Sequence, residues 1–483
     1  MNRHLASFPL LLLLSACAIR GGPELDRAVV PDAPDNWSSR PDIRTINADD
    51  SEVAPIYPDG WIRSFTDEML EQAVLEAFAR NRNLQSVLAQ LRAARAAMRV
   101  SRAGLFPRVD FSGSVSEADN AATVYDGALA ASWEADIWGR NLALAGAGSA
   151  DARAAAADFA AARQALAAAV ARAWYDRSAA VITFDLAARD LERRKDTLRI
   201  TNARFRAGLA SRLDVRLAQV AVSNSEDRLE AATRASANAA RALEVLTGRY
   251  PAGEAAGASD LITPAALPAV TAPVSVLASR PDLIAAEERV GAAGLRATEA
   301  RHAMLPQLTL RFDANSSSGN IGDLFDPGTY INAITGGLLQ PLFRGGALLA
   351  EADRQGEQAR SALFDYAQTV LTAYQEVEDR LDAEATLARQ VEATATAAEE
   401  ARAAVILTRS RYINGRSTIF DLINSQTTAI AAETRAIETR RARIENRINL
   451  HLALGNEPLR AQGLSLSSEL VPDLDAKAPQ SAG

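Results

Sequence analysis

The sequence predicts a protein made mainly of long α-helices folded into antiparallel hairpins. Two short strand pairs are set among them, and the whole plan is written twice. Three observations carry this reading. The apolar fraction is 48% of 483 residues but aromatics are only 5%, and alanine dominates, as in ARAAAADFAAARQALAAAVARAW from 152 to 174. Alanine is the strongest helix former, so such a chain favours long, closely packed helices. Proline is absent from 139 to 207 and again from 346 to 414. The stretch RFRAGLASRLD at 204–214 returns as RYINGRSTIFD at 411–421, an offset of 411 − 204 = 207 positions. That period is too long for a solenoid unit, and it implies duplication of a supersecondary unit.

The amino terminus comes first. MNRHLASF is a short basic start, PLLLLLS is an apolar run, and LSAC ends at Cys17. The run is too short to span a bilayer and reads as the hydrophobic region of a signal peptide, residues 1–16. Leu14-Ser15-Ala16-Cys17 is similar to the bacterial lipobox, which implies that Cys17 becomes the first mature residue and carries lipid. More than one acyl chain gives stable anchoring. By analogy with lipoprotein sorting, Ala18 after the cysteine points to the outer membrane. No later apolar run approaches the ~20 residues of a membrane helix, so any crossing must be made by strands. Net charge is −8, with arginine and acid interspersed and no basic block, which argues against a nucleic-acid partner.

Residues 17–65 read as an extended segment, and the first repeat runs over 66–248. It opens with a helix of about 35 residues, for which Thr66 is a suitable N-cap. The strand pair 108–138 follows, where RVDFSGSVSE and TVYDGALAASWEADIW alternate apolar and polar residues. Trp133 and Trp138 suit an aromatic border. An ordinary soluble hairpin would show the same weak alternation. A long helix over 139–207 would measure roughly 100 Å at 1.5 Å per residue. Gly208 supplies a left-handed stop, Ser211 a cap, and a return helix fills 211–247.

The connector 249–276 is rich in Pro, Gly and Ala. The second repeat, 277–456, starts a helix at Pro281 and continues with a strand pair at 307–343 bordered by Phe343. Its long helix is 346–413, Gly415 is the stop, and the return helix is 417–454, followed by a tail at 457–483. A heptad row runs Leu363, Val370, Val377, Glu384, Val391, Ala398, Val405, Tyr412, broken only by Glu384. A seven-residue period means left-handed coiled-coil packing.

Chemistry of the usual catalytic kinds is not written here. His4, His302 and His451 are isolated, without metal spacing, and no nucleophile elbow or phosphate loop is present. The chain reads as no enzyme, with no cofactor beyond the covalent lipid. A structural coiled-coil envelope lipoprotein would account for the anchor and the helices, but not for two bordered strand pairs.

The segments LSAC at 14–17, SWEADIWGR at 132–140, RFRAGLASRLDVRLAQ at 204–219, LPAVTAPVSVLASRPDLIAAEERV at 267–290, LPQLTL at 305–310, QPLFRGG at 340–346 and RYINGRSTIFDLINSQ at 411–426 cover nearly the whole mature chain. Together they resemble the outer-membrane efflux channel family, the TolC/OprM-like proteins, in its lipoprotein branch. The resemblance implies a membrane β-barrel plus a long α-helical coiled-coil barrel. A homotrimer would give four strands per chain to one 12-stranded barrel in the outer membrane of a Gram-negative bacterium, with the helices in the periplasm. It implies a periplasmic adaptor (membrane fusion) protein and an inner-membrane pump of the resistance-nodulation-division (RND) type as partners. The function implied is passive conduction of drugs or other small molecules outward; a type I protein secretion duct is the alternative. Arg204, Gly208, Asp214, Arg411, Gly415, Phe420, Asp421 and Asn424 would lie at the periplasmic tip, in the gate or at the adaptor contact. The family's apolar ring falls on Phe420, but its aspartate ring falls on Asn424, which carries no charge. Read without the resemblance, Asp214 and Asp421 are helix-start residues, and Arg204 and Arg411 sit well near a helix C-terminus.

Overall fold

The computed structural model describes residues 29–31, 33–34, 36–40, 45–46, 59–117, 119, 122–267 and 269–459. The segment 1–16 read as a signal peptide, Cys17 and the tail beyond 459 lie outside them. In chain order the elements are β1 (Thr45–Ile46), α1 (Glu68–Arg80), α2 (Arg82–Ala103), β2 (Arg108–Ser116), β3 (Val124–Ala135), α3 (Arg140–Arg206) and α4 (Arg212–Leu246). Then follow β4 (Val270–Thr271), α5 (Pro273–Ser279), α6 (Pro281–His302), β5 (Gln307–Ser318), β6 (Ile331–Leu339), α7 (Ala347–Ile413) and α8 (Ile419–Ala453). The contacts divide the chain into two units. One takes Arg92–Ala155 and Ala286–Ala367; the other takes Pro31–Leu91, Ala156–Ala285 and Gln368 onward. Among the described residues no helix is long and apolar enough to cross a membrane.

The first unit holds one antiparallel sheet in the order β2-β3-β5-β6. Each hairpin of a repeat is therefore adjacent to the other through β3 and β5, whose register runs from Tyr125↔Ser318 to Ala135↔Leu308.

The second unit is helical, and two details correct the sequence reading. The first helix is not continuous. Asn81 breaks it in an extended conformation (φ −64°, ψ 124°), and its side chain donates to the Leu246 carbonyl. The cap is Asp67, whose carboxylate accepts from the Met69 and Leu70 amides, while Thr66 is left-handed at φ 51°. Second, part of the connector is regular structure. β4 pairs in parallel with β1, Trp37 donates to the Thr271 carbonyl at 2.8 Å, and α5 is the repeat partner of α1. Arg280 breaks α5 from α6 as Asn81 breaks α1 from α2, and it donates to the Ala453 carbonyl as Asn81 does to Leu246. A glycine at the equivalent position closes each corner. A Cβ on Gly248 would meet the Arg80 carbonyl oxygen at 2.7 Å, and one on Gly455 would meet the Ser279 carbonyl carbon at 2.8 Å.

The main core gathers Trp61, Phe65, Leu70, Val74, Trp174, Tyr175, Ile444 and Ile448. Buried His451 stacks on Trp61 at 5.2 Å between ring centroids. Desolvation, with Arg447 nearby, holds its imidazole down to about 3, so it stays neutral there.

The seam along α7 is buried at Leu363, Val370, Val377, Ala398, Val405 and Tyr412. Glu384, the residue that interrupts it, is only 5% exposed. Its carboxylate accepts from Arg447 at 2.6 Å, from Arg443 at 3.3 Å and from Asn446 at 3.5 Å. The same two arginines reach on to the Ala265 and Pro264 carbonyls of the connector. The break in the heptad row is thus a buried charge with its partners supplied.

Candidate functional site

The sheet has two chemically different faces, and register puts them there. Side chains alternate across a strand, so every second residue shares a face. Val109, Phe111 and Val115 of β2 lie opposite Ala131, Leu129 and Tyr125 of β3. Those in turn pair with Phe312, Ala314 and Ser318 of β5, and Phe312 pairs with Ile334 of β6. The other face carries Arg108, Asp110, Asp126, Glu134, Arg311 and Asp313 among mostly small and polar residues, with Val124, Ile331 and Leu339 toward the strand ends. Its charges are matched locally: Arg108 meets Asp110 at 2.7 Å and Arg311 meets Asp313 at 2.8 Å. One apolar and one hydrated face, with strands of 9 to 12 residues, is the pattern of a barrel wall between lipid and water. Both edge strands are exposed along all nine residues.

Trp133, Trp138 and Phe343, the residues expected at an aromatic border, lie at or just beyond one end of the sheet. Trp133 donates to the Leu105 carbonyl at 3.1 Å and Trp138 to Pro306 at 2.7 Å, while Phe343 is 87% exposed. Asp136 caps the start of α3 by accepting from the Asn141 and Leu142 amides.

The repeated turns show how RFRAGLASRLD and RYINGRSTIFD work. Gly208 (φ 74°) and Gly415 (φ 71°) are left-handed C′ residues. Leu209 N–H donates to the Arg204 carbonyl and Gly208 N–H to Phe205; Arg416 to Arg411 and Gly415 to Tyr412 match them. These are two Schellman caps. Three residues later each repeat starts its return helix with a reciprocal capping box, Ser211 with Asp214 and Thr418 with Asp421. Asp421 accepts from the Thr418 amide, the Thr418 hydroxyl and the Ser417 hydroxyl, and these bonds hold its carboxyl below the usual range.

The two turns also meet. Arg204 Nη1 donates to the Tyr412 carbonyl at 2.7 Å and to Ile413 at 3.0 Å, and its guanidinium lies 4.9 Å over the Tyr412 ring. It caps the end of the other repeat's long helix, a role that spacing in the sequence could not reveal. The Thr201 and Tyr412 hydroxyls share a hydrogen bond at 3.0 Å, and Arg409 meets Asp196 at 2.7 Å. Arg411 is exposed. Phe420 (67% exposed) and Asn424 are one helical turn apart on the exposed side of α8, whereas Leu422 and Gln426 are buried. Asp421 is exposed as well, and its carboxylate is engaged in the cap at the start of that helix.

Comparison with known proteins decides what this arrangement belongs to. The outer membrane efflux protein family model matches residues 73–249 and 272–456, one match for each repeat. This chain belongs to the outer membrane efflux protein family. It is 28% identical to the pyoverdine export outer membrane protein OpmQ of Pseudomonas aeruginosa, over 94% of this chain and 96% of that protein. It is 27% identical to the toluene efflux pump outer membrane protein TtgF of Pseudomonas putida, over 96% of this chain and all of its relative. Among solved structures, the open-state outer membrane channel MtrE of Neisseria gonorrhoeae superimposes with a TM-score of 0.73 at 25% identity, over 88% of this chain and 97% of that one. The efflux channel fold, a helical barrel with a β domain, and the role of outer-membrane exit duct in a tripartite efflux system follow from these matches.

Proposed function

We propose that three copies of this chain close one barrel of 3 × 4 = 12 strands, each giving its four-stranded sheet. The observation that carries this is the sheet itself: one apolar face, one charged face and two open edges. In lipid an open edge leaves backbone groups without partners, so β2 of one copy must pair with β6 of the next. The apolar face meets the outer-membrane lipid, with Trp133, Trp138 and Phe343 at its border; the charged face lines the water-filled duct. The helices then stand in the periplasm, and Cys17 carries the lipid anchor. The turns at 204–214 and 411–421 form the mouth on which a periplasmic adaptor docks, together with an inner-membrane pump of the RND type. The cargo is small molecules, as the names of the relatives suggest. No residue in this reading performs catalysis or holds a metal or redox cofactor.

Purified from membranes and run unheated, the protein should migrate as a trimer that boiling converts to monomer. Radiolabelled palmitate should enter the parent chain and not the Cys17→Ser variant. A monomer that fails to conduct in planar bilayers would overturn the barrel, and labelling of Cys17→Ser would overturn the anchor.

Phe420 projects from α8 where three copies would converge at the mouth. Phe420→Ala should raise single-channel conductance roughly twofold, since three phenyl rings leave the narrowest ring of the pore. Unchanged conductance would remove Phe420 from the constriction. Because Asn424 is neutral, Asn424→Asp should in the same recording shift selectivity toward cations.

A further inference from the structure

The loop between β5 and β6, residues 319–330, does not stand away from the sheet. It folds back over the apolar face. The Cβ direction of Gly127 on β3, which lies in the same row as Phe111, Leu129 and Trp133, points at Tyr330 Oη (3.0 Å) and Leu324 Cδ2 (3.1 Å). The Ser316 hydroxyl, on that face of β5, meets the Thr329 hydroxyl at 3.0 Å, and the Ser318 hydroxyl donates to Asp323. Ala314 and Ser316 are buried beneath it at 6% and 4% exposure. Two serines in an otherwise apolar row are unsuited to hydrocarbon, and this loop takes up their hydroxyls.

The loop is also closed on itself. The single Thr329 hydroxyl proton lies within reach of both the Asp323 and Asp326 carbonyls, and Tyr330 Oη donates to Leu324. The amides of Asp323, Asp326 and Thr329 each bond back three residues. Irregular backbone is tolerated near lipid only when its polar groups are satisfied in this way. Outward it presents Ile321 (55% exposed) and Phe325 (84% exposed).

We propose that this loop is a lipid-contacting saddle, with Ile321 and Phe325 seated in the outer leaflet at the boundary of headgroups and acyl chains. The inference rests on the reading of the sheet as a barrel wall. The occupant follows from continuity: the loop lies over β3 and β5, the two inner strands, away from the edges where neighbouring copies join. β5 has 12 residues, more than the ≈ 9–11 that cross the hydrocarbon, so Ser316 and Ser318 reach the interfacial level. Exposed Asp326 beside Phe325 fits the headgroup side of that boundary, as aromatic side chains do in barrel girdles.

The test places an environment-sensitive fluorophore on single cysteines of the full-length trimer in phosphatidylcholine vesicles; the parent protein, with Cys17 alone, sets the background. Phe325→Cys should lose most of its emission to a shallow nitroxide lipid and little to an aqueous nickel chelate. Phe111→Cys on the apolar face of β2 should be quenched by a deep nitroxide lipid, and Ser317→Cys on the charged face by the chelate. Ile321→Cys repeats the measurement should the Phe325 variant fail to assemble. If the loop positions respond only to the chelate while Phe111→Cys responds to lipid, the saddle is wrong and the barrel stands. If Phe111→Cys also responds only to the chelate, both fall.

Discussion

Replacing Glu384 by leucine should destabilise the helical unit by about 3–5 kcal/mol, although it restores the heptad pattern. By pattern alone the change looks favourable, because an apolar residue in a coiled-coil seam gains burial. The surroundings reverse the sign. Arg447 is 5% exposed and gives its shortest bond, 2.6 Å, to Glu384. Arg443 and Asn446 are turned to the same carboxylate. Glu384→Leu leaves a desolvated guanidinium with only the Ala265 carbonyl, and an uncompensated buried charge outweighs the methyl groups gained. The double variant Glu384→Leu/Arg447→Met removes both charges and should recover most of the loss. A long, trimeric membrane protein does not unfold in two states, so the readout is hydrogen exchange over α7 and α8 and not a melting curve. Protection around 380–388 and 443–450 should fall by roughly a hundredfold or more in the single variant, given about 1.4 kcal/mol per tenfold. Equal protection in parent and single variant, or a double variant worse than the single, would contradict this account.

That pair of arginines shows what was legible in the sequence and what was not. The interrupted heptad row marked Glu384 as an exception, but nothing local said that its partners lie 59 to 63 residues away on α8. Long elements were legible because each states its own period and ends at its own glycine: α3, α4, α7 and α8 begin and stop beside Gly139, Gly208, Gly248, Gly346, Gly415 and Gly455. The break at Asn81 was hidden because the flanking residues are good helix formers, and the kink is set by a distant carbonyl on Leu246. Arg280 hides its break in the same way, through Ala453. The serine and threonine caps at 211 and 418 were visible, but the reciprocal bonds from Asp214 and Asp421 were not, since a boxed aspartate and a gate aspartate have the same letter. The contact of Arg204 with the Tyr412 carbonyl lay beyond any reading by offset, because duplication reports likeness between repeats and not that they touch.

The strands were the weakest part of the sequence signal, and register supplies what alternation lacked. A single alternating strand fits a soluble hairpin as well as a barrel wall. Four strands whose pairings bring Val109, Phe111, Leu129, Leu310, Phe312 and Ile334 to one side and every charged residue to the other leave one face mainly apolar.

Phe312→Arg tests that alignment at its centre and should abolish assembly. Phe312 is midway along β5, opposite Ala131 and Ile334 on the apolar face. An arginine near the bilayer midplane on the lipid face costs about 2–4 kcal/mol, hence roughly three times that in a trimer. Such a penalty is comparable with the whole stability of an ordinary domain, about 5–15 kcal/mol. The heat-modifiable trimer band should therefore disappear from outer-membrane fractions. Ser114→Arg is the matched control. It puts the same side chain on the other face, across from Asp126, where water and an acidic partner are both at hand. It should assemble like the parent and shift only the ion selectivity of the pore. If Phe312→Arg assembles normally, the apolar face does not meet lipid. If both variants fail equally, the effect is one of strand propensity or bulk, and the two faces are not lipid and water. Only loss in the first with assembly in the second fits a barrel whose wall is divided residue by residue between the membrane and the duct.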